Sequence, residues 1–153
     1  MLAFIGNLGV AELLLLLLFG VMVIPYVFYL LTLQSTFEAV SLPNRELTPG
    51  LVWLNFIPIF NLGWAFVIVI KLANSIKKEY AALGIQGECT GGLGVGLAYA
   101  ICAVLSIIPF VGIGALVCWI LHWVQISNHR KKIIWHQLQH EPPGAPGPYP
   151  GRY

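Results

Sequence analysis

The stretch from Leu8 to Gln34, LGVAELLLLLLFGVMVIPYVFYLLTLQ, decides the fold. It holds a single acid, Glu12, a single proline, Pro25, and no basic residue. At about 1.5 Å of rise per residue, a helix of this length reaches about 40 Å, enough to cross a hydrocarbon layer of about 30 Å with some tilt. It lacks the basic n-region, the short apolar core and the small-x-small site of a cleaved leader, so it reads as a retained span.

The rest of the chain matches that solvent. Of 153 residues, 58% are apolar and 9% charged, with no aspartate at all, whereas soluble domains carry roughly a quarter charged residues. The net charge of +2 is too small to suggest nucleic acid; its meaning lies in where the basic residues fall. Three cysteines, Cys89, Cys102 and Cys118, show no zinc or redox spacing and read as small hydrophobes.

Two further apolar blocks, 49–73 and 93–126, follow the first at 8–34, and residues 1–132 read as one transmembrane helical domain. Each later block ends in cations, Lys77 and Lys78 after the second and Arg130, Lys131 and Lys132 after the third, which fit contact with acidic headgroups. Ile57-Pro58-Ile59-Phe60-Asn61-Leu62-Gly63 and Ile108-Pro109-Phe110-Val111-Gly112-Ile113-Gly114 align at a constant offset of 51 residues. Proline removes an amide hydrogen and glycine loosens a helix. Pro58, Asn61, Gly63, Pro109, Gly112 and Gly114 are therefore expected as helix breaks, with Asn61 capping a second arm.

The expected fold is thus an all-α integral membrane protein: one full amino-terminal span, then two helix-break-helix units. The third block offers arms of about 24 to 26 Å, long enough for a hairpin, whereas the first arm of the second block, 49–57, is about 14 Å and cannot cross alone. It is either re-entrant, with every basic residue on one side, or the upper part of a kinked span that leaves Arg45 opposite. Residues 125–141 suit an interfacial basic helix, with Ile126, Ile133, Ile134 and Trp135 toward lipid. Residues 142–153, PPGAPGPYPGRY, suit a disordered or polyproline II tail.

Gly92, Gly96 and Ala100 form a small-xxx-small series suited to close helix packing, within the chain or between copies. Asn55 and Asn61 are polar side chains within an apolar block; they serve either an interhelical hydrogen bond or the lining of a pore. His122, His129, His136 and His140 share one stripe of a continuous helix. The i,i+4 pair His136 and His140 could chelate a metal, but no acid or thiol nearby completes a shell. No cofactor is expected.

The segment Leu51 to Glu79, LVWLNFIPIFNLGWAFVIVIKLANSIKKE, resembles small multi-pass bacterial membrane proteins of unassigned function that carry an Ile-Pro-x-Phe-Asn-x-x-Trp break. The resemblance implies a bacterial inner membrane setting and no particular activity. The six acids are scattered, and no nucleophile, phosphate-loop or metal signature is present, so an enzyme is not expected. Two functions remain: a non-catalytic membrane subunit or scaffold, forming a homo-oligomer or part of a larger membrane complex, and a small oligomeric ion channel. The charge pattern puts the carboxy-terminal tail in the cytoplasm.

Overall fold

The computed structural model describes residues 9–86, 90–105 and 111–140. Helix is the regular structure throughout them, in the order α1 (Val10–Ala39), a short 3-10 turn (Leu42–Asn44), a 3-10 helix (Pro49–Phe56), α2 (Pro58–Ala82), α3 (Leu93–Val104) and α4 (Val111–His140). Three of them, α1, α2 and α4, are long and apolar enough to cross a membrane. The chain divides inside α1 into two units, Met1–Leu31 and Thr32–Tyr153.

In the first unit, α1 starts just after Gly9, whose amide donates to Glu12 Oε2 at 3.0 Å. That explains the lone acid of the leucine block. A carboxylate three residues into a helix satisfies a free amide at its start and sits at the positive end of the helix dipole. Beyond it, Leu13 to Leu18 are between 49% and 66% exposed. Pro25 lies inside the helix without ending it, as membrane helices tolerate.

The second unit packs α3 between α2 and α4, antiparallel to both. A side chain on Gly96 would meet Val69 of α2 and His122 of α4, and one on Gly92 would meet Ile126 of α4. Gly91, at φ +61°, lies against the backbone of Ala73, so a Cβ there is excluded by both space and conformation. The core is built from Ile68, Leu72 and Ile76 of α2, Tyr99 and Ala100 of α3, and Ile126 and Ile133 of α4, all 8% exposed or less.

The first arm of the second block is the 3-10 helix, not an α-helix. At about 2.0 Å per residue its eight residues reach about 16 Å, still short of a crossing. Three residues per turn put Val52 and Asn55 on one buried face, and the same period stacks Trp53 on Phe56 with centroids 5.9 Å apart. The arm folds back along α2: Glu46 N donates to Ser75 Oγ at 3.0 Å, and Trp64 Nε1 donates to the Leu51 carbonyl at 2.8 Å.

Several expectations change here. The break lies at Ile57, which has extended backbone angles, and Pro58 is the first position of α2, where a missing amide is harmless and φ is already helical. Asn61 does not cap; its amide donates to the Ile57 carbonyl at 2.8 Å as an ordinary helical residue. α2 runs unbroken through Gly63, whereas Gly112 and Gly114 lie in the first turn of α4. Pro109 lies outside the described residues, as does the tail from residue 141. The basic segment from 125 continues α4 without interruption. Ile126 and Ile133 are fully buried rather than turned to lipid, while Trp135 is 61% exposed.

Candidate functional site

The carboxy-terminal ends of α1, α2 and α4 meet at one end of the second unit, together with the loop after α1. They arrive parallel. Trp123 Nε1 donates to Thr32 Oγ1 at 2.9 Å, Arg130 Nη1 to Ser35 Oγ at 2.6 Å, and Gln137 Nε2 to the Ala39 carbonyl at 3.0 Å. The seven-residue step between these α4 residues is two helical turns, so they share one face toward α1. The residue preceding each is a histidine, and two of these face the other way. His122 is buried against Gly96 and stacked on Tyr99 at 6.4 Å. His129 Nδ1 shares a 2.8 Å hydrogen bond with the Tyr80 hydroxyl.

Glu79 joins these elements. It is 2% exposed and accepts from Ser41 N at 3.1 Å, Ser41 Oγ at 2.5 Å and Asn44 Nδ2 at 2.8 Å, all on Oε2. Its Oε1 accepts from Gln137 Nε2 at 2.9 Å. One carboxylate thereby ties the loop after α1 to α2 and α4. Buried carboxylates require such donors, because each lost water contact must be replaced.

Glu46 makes a second, more open cluster, pairing with Lys78 at 2.8 Å and Lys71 at 3.2 Å. The Lys78 ammonium hydrogen-bonded to it is the main cause that holds its carboxyl below the usual carboxylate value. The next residue back, Arg45, donates Nη2 to the Glu38 and Val40 carbonyls, each at 3.0 Å. This places a cation on the free carbonyls at the end of α1. Lys132 sits over the Tyr80 ring, 5.4 Å from its centroid.

Of the five cations expected at headgroups, three thus contact the protein itself: Lys78, Arg130 and Lys132. Lys77 and Lys131 are exposed and make no hydrogen bond or ion pair among the described residues. Gly96 and Ala100 are used inside the chain: Ala100 is 1% exposed, and a Cβ on Gly96 would lie 2.6 Å from Val69 Cγ1. That face is closed to another copy. Gly92 is the left-handed residue that precedes α3, and it too is buried, with a Cβ there lying 3.1 Å from Ile126 Cδ1 of α4.

Asn55 is 3% exposed on the inner face of the 3-10 helix, Asn61 is half-buried, and Gly112 has nothing within 4 Å of its Cβ position among the described residues. His136 is half-buried, and the side chain of His140 lies outside the described residues. Among the described residues no group of three His, Cys, Asp or Glu side chains could hold a metal. Chemically, the end presents buried hydrogen bonding beneath exposed ammonium groups.

Sequence reasoning put Lys77 and Lys78 at headgroups and gave their neighbour Glu79 no role. The signal was there: 79 continues the buried stripe of Leu72, Ile76 and Ser75 at helical spacing, while Lys77 and Lys78 fall outside it. No family model, curated protein or solved structure matches this chain.

Proposed function

We propose that the chain is a non-catalytic, multi-pass subunit or scaffold of the bacterial cytoplasmic membrane, with the polar end and the carboxy-terminal tail in the cytoplasm. The observation that carries this reading is the gathering of Arg45, Lys71, Lys77, Lys78, Arg130, Lys131 and Lys132 at one end, beside long helices with exposed apolar faces. Cytoplasmic segments carry such an excess of lysine and arginine. The folded-back 3-10 arm supports a re-entrant second block, because it leaves Arg45 in the loop whose next residue, Glu46, pairs with Lys78 of α2. A single crossing by α1 then leaves its first residues on the outer face.

Assembly runs through α1 under this reading. Only 11% of its most apolar window is buried, while the small-residue face of α3 is already occupied. Helix association in lipid rests on packing rather than on escape from water, so the exposed run from Leu13 to Leu18 is the natural contact for another membrane helix.

Both halves can be tested in a variant with Cys89, Cys102 and Cys118 replaced by alanine. A cysteine at Asn44 reacts with an impermeant maleimide in inverted vesicles and not in intact spheroplasts; labelling in spheroplasts overturns the topology. Single cysteines from Leu13 to Leu18 give cross-linked products in native membranes at positions three or four apart. Absence of any product along the run removes α1 as the assembly helix.

A further inference from the structure

We propose that the groove on α4 between Trp123 and Lys131 seats the headgroup of an anionic phospholipid of the cytoplasmic leaflet. The groove, of about 250 Å³, is lined by Trp123, Val124, Ser127, Asn128 and Lys131. Its lining changes character along the helix. Trp123 and Val124 supply an apolar floor, Ser127 and Asn128 supply hydrogen-bond donors one turn on, and Lys131 supplies a cation one turn beyond that. This is the order of a phospholipid's own groups, from acyl carbons to glycerol to phosphate.

Two observations favour an anionic lipid over a passive surface. Lys131 has no hydrogen bond or ion pair among the described residues, whereas Lys71, Lys78, Arg130 and Lys132 each contact a protein group. Below the groove the exposed side of α4 is wholly apolar, with Leu121 at 52% and Val124 at 54% exposure, so an acyl chain meets no polar group as it descends. Trp123 is fixed by its bond to Thr32, which presents a rigid ring at the level where indoles anchor. The selectivity is electrostatic: a lysine close to an anionic surface attracts its phosphate, and a zwitterionic headgroup offers no net charge in return.

The inference rests on the membrane reading above, and the experiment separates the two. The full chain is reconstituted in nanodiscs of equal phosphatidylglycerol and phosphatidylcholine, extracted in neutral detergent, and its retained lipids are counted by mass spectrometry. The wild type retains phosphatidylglycerol preferentially, and Lys131→Gln reduces that preference about fivefold, the worth of one lysine at such a surface. Ser127→Ala/Asn128→Ala lowers it in the same direction, and Lys77→Gln leaves it unchanged. Equal retention of both lipids by the wild type overturns the site, as does a loss in Lys77→Gln equal to that in Lys131→Gln, which would mark diffuse attraction. Carbonate washing of the source membranes reports on insertion alone; release of the wild type there would defeat the membrane reading instead.

Discussion

Replacing Gly96 by alanine probes the packing of α3 most directly. The added Cβ would lie 2.6 Å from His122 Nε2 and 2.6 Å from Val69 Cγ1. Those atoms belong to different helices, so relief on one side does not relieve the other. His122 is 1% exposed and Val69 2%, which leaves neither a solvent-filled space to turn into. Overpacking of this kind destabilises by about 1–3 kcal/mol. Glycine to alanine also strengthens a helix by up to about 1 kcal/mol, and the comparison must remove that gain. Gly94→Ala does so, since the same helix carries it and nothing among the described residues lies within 4 Å of its Cβ position. The difference between the two variants is then the steric term. For a chain of this size about 2 kcal/mol lowers the midpoint by roughly 4–8 °C. Thermal unfolding in detergent micelles, followed by far-ultraviolet circular dichroism, reads that difference. Coincident midpoints for Gly96→Ala and Gly94→Ala would refute the close approach of the three helices.

Two other perturbations address the polar end. Glu79→Ala strands the amide of Ser41 and the side-chain donors of Asn44 and Gln137, and it destabilises by about 3 kcal/mol; denaturant titration in micelles showing less than about 0.5 kcal/mol, the scale of an ordinary surface change, contradicts the network. Glu46 has a lowered carboxyl value in the folded chain, so its contribution is fully present above the ordinary value of 4.5 and disappears as pH falls through the lowered one. Its lysine partners are 45% and 52% exposed, which limits the effect to below about 1 kcal/mol. Unfolding midpoints measured from pH 7 downward should therefore show a small acid-side loss in the wild type that Glu46→Gln lacks; an identical pH profile in both removes Glu46 from the account.

The three long helices were legible because apolar runs of this length have few other uses. The small-residue spacing of α3 was legible as well, though not which neighbour it would meet: Gly96 shows only that something comes close. The 3-10 arm was not legible. Apolar residues fill Pro49 to Phe56 almost without interruption, so no period could be read, and the distinction rests on Val52 and Asn55 sharing a face. Ile126 and Ile133 were assigned to lipid because the segment looked interfacial. The uninterrupted α4 instead carries its inward face through to Gln137, which reaches Glu79. Glu79 itself was obscured by Lys77 and Lys78 directly before it, since a count of charges does not say which side of a helix each one takes.

The parallel arrival of three helices has an electrostatic consequence. Each helix carries about half a negative elementary charge at its final carbonyls, and aligning three such termini sets like partial charges side by side. Antiparallel bundles cancel these fields; among the described residues this unit has only the short α3 to oppose them. Arg45 on the last carbonyls of α1, with the ammonium groups along α2 and α4, therefore acts as counterion to the backbone itself, and substituting those cations would weaken the assembly of the helix ends even in a solvent that contained no lipid charge.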